Sequence, residues 1–204
     1  MNIEIASVDS VMLYFEQIIS EEVLDRVQNA YSTLKELEGV IDITPSYSSI
    51  LIQYDLSLYD YRSIREAITE ILSTHQNYTT VKENKLIKIP TVYDEGLDLE
   101  RVAKFNHLTV EEVIQLHTQT IYRVYAIGFM PGFAFLATVN AKIATPRLST
   151  PRSKVPKGSV AIADQQTAIY PQDSAGGWNI IGQTEFDAFD QFTVGDRVQF
   201  VRVL

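Results

Sequence analysis

Tyr122-Arg-Val-Tyr-Ala-Ile-Gly-Phe-Met-Pro-Gly-Phe133 and, further along, Ser174-Ala-Gly-Gly-Trp-Asn-Ile-Ile-Gly-Gln-Thr184 bracket the part of the chain that decides the fold. Six of the nine glycines and five of the seven prolines fall between Tyr122 and Thr184. Glycine opens backbone conformations closed to other residues, and proline fixes φ and withholds a donor. Placed between short apolar runs, they predict tight turns joining strands. No helical period follows Ile121. The runs Tyr122–Ile127, Ser159–Ala163, Ala168–Tyr170, Trp178–Ile181 and Arg197–Val203 read as strands of a β-barrel or sandwich.

Charge in the same stretch is one-sided. No acid occurs between Glu112 and Asp164, whereas Arg123, Lys142, Arg147, Arg152, Lys154 and Lys157 all do. Thr145-Pro-Arg147 and Thr150-Pro-Arg152 nearly repeat, each proline stiffening the chain before an arginine. A guanidinium held this way suits two-point capture of a carboxylate or phosphate. The competing reading is a solvated basic loop.

Working outward, residues 1–85 hold 14 acids against 6 bases, and residues 86–204 hold 12 against 11. Two differently charged parts predict two domains, 1–85 and 86–204, and an acidic first part that repels nucleic acid. Ser20 reads as an N-cap, with Glu21 and Glu22 in the first turn and Val23, Val27, Ala30, Leu34 and Leu37 as one apolar stripe closed by Gly39. Strands are expected at Val11–Ile18, Val40–Thr44, Ser49–Tyr54 and Lys85–Pro90, with a second helix at Tyr61–Leu72. That order, β-α-β-β-α-β, predicts an α+β chain opening with a ferredoxin-like sandwich. Between the two parts, Asp98 is expected to cap Leu99–Phe105, and Thr109-Val-Glu-Glu112 is a capping box. Val110, Val113, Ile114 and His117 share one face, which turns His117 toward the core or a cleft below it. Glu111 and Glu112 at the second helix's start oppose a DNA-reading role.

The 204 residues lack cysteine and any apolar run long enough to cross a bilayer, so no disulfide, thiol nucleophile or membrane span is expected. An N-terminus carrying Glu4 and Asp9 argues against a signal peptide, and a cytoplasmic location follows as the default. His75, His107 and His117 are too scattered to predict a zinc site; no metal is expected.

The runs are similar to a known family: Val124-Tyr-Ala-Ile-Gly-Phe-Met-Pro-Gly-Phe133, Thr145-Pro-Arg147, Pro151-Arg152, Val155-Pro-Lys-Gly-Ser159, Gln166-Thr167, Ile169-Tyr-Pro171, Gly176-Gly-Trp178 and Ile181-Gly182. They resemble the family formed by the B subunit of 5-oxoprolinase (PxpB), allophanate hydrolase subunit 1 and KipI. The resemblance implies an N-terminal α+β domain and a C-terminal cyclophilin-like β-barrel. It implies a subunit of a heteromeric, ATP-dependent 5-oxoprolinase that converts 5-oxo-L-proline to L-glutamate. A homologous PxpC-like subunit and a PxpA-like subunit would be its partners. It also leaves two other roles: a KipI-type inhibitor of a sensor histidine kinase, and a carboxyltransferase subunit of the allophanate hydrolase or urea carboxylase type. The chain departs from the family pattern at Ala134-Phe-Leu-Ala-Thr138, Ala161-Ile-Ala-Asp164, Ser174-Ala175 and Tyr93-Asp-Glu95.

On this basis Arg147 and Arg152 are expected to bind a carboxylate or phosphoryl oxygen, Arg152 at the catalytic centre. Backbone around Gly132, Gly176 and Gly177 would add donors, and Phe129, Phe133 and Trp178 would wall out water. Gln166 and Tyr125 complete the substrate-binding set, with His117 or Tyr125 as the group that moves a proton. Nothing resembles a phosphate-binding P-loop, so ATP is expected on a partner subunit.

Overall fold

The Ser20 hydroxyl accepts the Val23 N–H at 3.2 Å and starts the first helix, α1 (Glu21–Leu34), in the computed structural model, which describes residues 2–74 and 85–203. The helix closes at Lys35, so Leu37 lies beyond it and Gly39, at φ +83, serves the turn into the next strand. The chain divides into two compact units, Met1–Asn84 and Lys85–Leu204.

The first unit is a four-stranded antiparallel sheet of β1 (Asn2–Ser7), β2 (Ser10–Tyr14), β3 (Val40–Pro45) and β4 (Ser49–Tyr54), ordered β1-β2-β4-β3. β2, α1 and β3 form a split β-α-β unit with β4 inserted between the strands. The second helix, α2 (Tyr61–Thr74), joins α1 over the buried residues Val11, Leu13, Ile50 and Ile52. This is the ferredoxin-like sandwich, with one correction. The edge expected for Lys85–Pro90 is filled by β1, which comes first in the chain and buries only Ile3. One buried isoleucine is worth about 1.5–3 kcal/mol, so the hairpin pairing with β2 has to supply much of the rest.

The second unit opens with the displaced strand, β5 (Leu86–Thr91), followed by α3 (Leu99–Phe105) and α4 (Val110–Gln119). Thr109 and Glu112 close the expected capping box at 3.2 and 2.7 Å. The remaining strands are β6 (Tyr122–Ile127), β7 (Ala134–Ala137), β8 (Arg152–Val155), β9 (Ser159–Ala163), β10 (Gln166–Ile169), β11 (Ser174–Gly176), β12 (Asn179–Gln183) and β13 (Arg197–Arg202). Seven form one sheet, ordered β12-β9-β10-β7-β6-β13-β5, with β5 parallel to β13. A bridge between Val92 and Gln183, two hydrogen bonds of 2.8 Å, brings the ends of that sheet together into a nearly closed barrel.

Alternation along the strands gives the barrel two buried faces. Val160, Ile162, Ile169, Leu136, Val198 and Phe200 join one core with residues of α3 and α4. Ala161, Ala163, Ala168 and Ile180 point the other way, under Phe133, Tyr170 and Trp178. Short alanine side chains leave room above the sheet for the aromatic rings. β8 and β11 form a separate two-stranded ribbon.

Candidate functional site

The ribbon brings the motif residues together. Gly176 on β11 pairs with Arg152 on β8, and Ser174 with Val155. A Cβ on Gly176 would lie 2.3 Å from the Tyr170 hydroxyl oxygen, so only glycine lets that phenol reach the ribbon. The hydroxyl oxygen accepts the main-chain N–H of Trp178. Burial raises the Tyr170 pKa above its ordinary value, while that hydrogen bond and the charges of Arg147 and Arg152 pull it down. The phenol therefore stays protonated with both guanidinium groups close by.

Arg147 is exposed and sits 5.7 Å above the Trp178 ring, a cation–π contact. The indole is packed edge-to-face with Phe133 at 5.8 Å and Phe135 at 6.0 Å. Phe133 also meets Tyr170 at 5.3 Å and Phe129 at 5.4 Å. Phe129 stands at the outer edge of this aromatic group, 67% exposed and held at φ +69. Aromatic residues seldom adopt a positive φ, and such positions cluster at functional loops. Phe129, Phe133 and Trp178 thus lie in one aromatic group, with Phe135 and Tyr170 as members that the sequence did not single out and Arg147 over its indole.

Arg152 is tied down on one side only. Its Nη2 donates to Asp98 Oδ1 at 2.8 Å. Asp98 Oδ2 accepts the Ile180 N–H at 2.8 Å, so the carboxylate makes no cap bond to α3, contrary to expectation. Arg152 Nη1 is buried and meets no acceptor among the described residues. With Nη2 engaged by Asp98, the guanidinium keeps its Nη1 donors for a further acceptor. Beside it, Arg101 donates to Asn179 Oδ1, and Asn179 Nδ2 donates to Pro146 O at 3.1 Å, holding the Thr145–Arg147 segment against β12. Lys154 is paired with Asp173 at 2.8 Å on the surface.

Not every expected site residue faces this group. His117 is fully buried in the barrel core, so its assignment as catalytic is corrected. Nδ1 lies 2.6 Å from the Tyr93 hydroxyl and Nε2 2.9 Å from the Thr167 hydroxyl. Thr167 spends its own proton on Ala161 O at 3.0 Å, which makes Nε2 the donor and Nδ1 the acceptor. Phe200 and Tyr122 pack on the ring at 4.4 and 5.3 Å. Burial pushes the imidazole pKa down to about 3, so it is neutral and sealed from any substrate. Tyr125 is buried at a bulge in β6, opposite Leu136 and Phe135. Gly132 lies at φ +81 with the Phe189 Cβ filling the space its own Cβ would need, 2.7 Å away, so packing alone accounts for a glycine there. Gly177 presents its carbonyl to the Leu148 N–H at 2.7 Å. Gln166 sits between Ala137 and Ala163 on the face that carries the aromatic group.

Comparison with known proteins places the chain in a family. The family model for the carboxyltransferase domain, subdomain C and D, matches residues 1–196. The B subunit of 5-oxoprolinase from Bacillus subtilis is 35% identical over 95% of this chain and 89% of its own length. That of Haemophilus influenzae is 44% identical over 58% of this chain and 60% of its own length. The crystal structure of TTHA0988 superposes with a TM-score of 0.84 at 33% identity, covering 96% of this chain. This chain spans 40% of that protein.

Proposed function

The chain belongs to the carboxyltransferase-domain family, subdomains C and D, that includes bacterial 5-oxoprolinase B subunits, and on that premise we propose that it is the B-type subunit of a heteromeric, ATP-dependent 5-oxoprolinase. The observation that carries the reading is the placement of Arg147 over the face of Trp178, with Arg152 on the adjoining ribbon keeping a buried donor to spare.

Opening a lactam with ATP passes through an anionic, phosphorylated species that has to be kept from bulk water. Arg147 is exposed and able to close over a ligand. Arg152, fixed by Asp98, offers a preorganised donor whose orientation costs nothing at the moment of binding. Phe129 and the rings beneath it exclude water on one side. The nucleotide belongs on a companion subunit. In this chain Gly176 is occupied by strand pairing and the Tyr170 contact, and the Gly177 carbonyl by Leu148, so neither opens a helix toward phosphate.

The test is reconstitution. The chain is co-expressed with the companion subunits, and ATP-dependent release of glutamate from 5-oxo-L-proline is assayed. Arg152→Ala is expected to cut turnover by at least about 10²-fold, in line with loss of a charged donor at a reacting centre. A reconstituted complex that turns over 5-oxoproline equally well with Arg152→Ala removes the assigned role. Absence of 5-oxoproline-dependent ATP hydrolysis in the wild-type complex removes the reaction.

A further inference from the structure

Three groups meet at the ribbon: the Arg152 guanidinium, the Cα of Gly176 paired with it, and the phenol end of Tyr170 pressed against that glycine. The Tyr170 oxygen has its acceptor side engaged by the Trp178 N–H. Its proton has no acceptor among the described residues, whereas three hydroxyls of the neighbouring core have one: Tyr93 on His117, Tyr122 on the His117 carbonyl and Thr167 on Ala161. A buried phenol with an uncommitted proton beside two cations is a donor awaiting an oxygen.

We propose that the Tyr170 hydroxyl is a substrate-binding residue that donates its hydrogen bond to the ring carbonyl oxygen of a five-membered lactam acid, while Arg147 and Arg152 hold that molecule's carboxylate. The division follows from charge. The two arginines are matched by the anionic group, and a phenol kept neutral by burial suits the uncharged carbonyl. The same geometry gives a basis for selecting a lactam acid over a plain cyclic acid, because a buried donor left unpaired penalises the ligand that lacks the oxygen. The proposal rests on the 5-oxoprolinase reading of the site, and its test separates the two.

Trp178 is the single tryptophan of the chain, so its emission reports on the site directly and without turnover. Full-length wild type, Tyr170→Phe and Arg152→Ala are titrated with 5-oxo-L-proline, cyclopentanecarboxylate and 2-pyrrolidone. The first two ligands are repeated by calorimetry on the complex with the companion subunits. Tyr170→Phe keeps the ring that packs on Phe133. It is expected to weaken 5-oxoproline about fivefold to tenfold, the worth of one buried hydrogen bond, and to leave cyclopentanecarboxylate unchanged. Arg152→Ala is expected to weaken both acids. Unchanged 5-oxoproline affinity in Tyr170→Phe, or equal weakening of both acids, overturns the role of Tyr170 while Arg152→Ala still tests the anion site. Failure of 5-oxoproline to bind the wild-type chain and the complex overturns both.

Discussion

Arg152 and Asp98, 54 positions apart in the chain, are joined by a 2.8 Å ion pair in which the carboxylate is nearly buried and the guanidinium less than one-third exposed. Asp98 gives up the cap bond that its place before α3 allows, and spends its second oxygen on the Ile180 N–H. The pair thus ties α3, β8 and β12 together at the foot of the candidate site, and it holds Arg152 in one orientation.

Breaking it is expected to show in stability as well as activity. Asp98→Asn keeps an oxygen for Ile180 but leaves Arg152 without its counter-charge. Loss of one partner of a buried pair costs about 3–5 kcal/mol, and partial exposure of this guanidinium brings the expectation to about 1–3 kcal/mol. Arg152→Met in the Asp98→Asn background should recover part of that loss. Urea denaturation of the two single variants and the double variant measures the coupling; strictly additive effects would mean that the contact contributes nothing.

His117 gives the protein an acid limit. Its pKa lies near 3 in the folded state against 6.5 for the free side chain, so below pH 6.5 the unfolded chain takes up a proton that the folded chain refuses. The stability it allows is fully present above pH 6.5 and is lost as the pH falls toward 3, at about 1.4 kcal/mol per pH unit from this residue. Other groups titrate in the same range, so the informative quantity is a difference. His117→Gln is expected to be less stable than wild type at pH 7.5, yet to lose stability less steeply between pH 6.5 and 4. Parallel slopes for the two proteins would show that the imidazole ionises freely in the fold.

These pairings explain what the sequence could and could not disclose. The helices were legible because their caps and stripes are local: Ser20 to Val23, Thr109 to Glu112. Tyr122–Ile127 and Ser159–Ala163 were legible as strands because glycine and proline fence them. Lys85–Pro90 read correctly as a strand but not as to its sheet, since its partner is β13 at the far end of the chain. β1 was missed because a strand that buries one residue in six leaves almost no alternation to detect. His117 was rightly turned inward by helical spacing, but its neutral state depends on Tyr93 and Thr167, 24 and 50 residues away. The arginines could be named from the basic island. That one of them is half spent on Asp98 is a tertiary fact, as is the reach of Tyr170 to Gly176; the only local trace of Tyr170 was its place in Ile169-Tyr-Pro171.

Arg147 should behave differently from Arg152. It is exposed and its one described contact is with the Trp178 ring, an interaction worth about 0.5–1 kcal/mol at such a site. Arg147→Ala is therefore expected to change the unfolding free energy by less than about 1 kcal/mol, while altering Trp178 emission and raising the KM for 5-oxoproline in the reconstituted complex. Arg147→Lys should restore part of the affinity through charge, but less than wild type, because an ammonium cannot lie flat on the indole. An unaltered emission spectrum in Arg147→Ala would place the guanidinium away from the ring in solution.

The contact between Gly176 and Tyr170 makes the strictest demand on the site. A methyl at Gly176 would stand 2.3 Å from the hydroxyl oxygen, 2.9 Å from Cζ and 3.0 Å from Cε1 of the ring. The ring cannot retreat easily, since Phe133 packs against it and the alanine floor of the sheet lies in the same cluster. Gly176→Ala should thus cost about 1–3 kcal/mol, the usual penalty of overpacking, and displace Trp178, whose N–H is bound to that hydroxyl. Removing the oxygen removes the shortest of the three contacts. Tyr170→Phe combined with Gly176→Ala is therefore expected to be more stable than the sum of the single changes predicts, by about 1 kcal/mol. Thermal unfolding of the four proteins, with Trp178 emission followed in parallel, measures that coupling. A Gly176→Ala protein with wild-type stability and emission would show that the phenol does not lie against the ribbon.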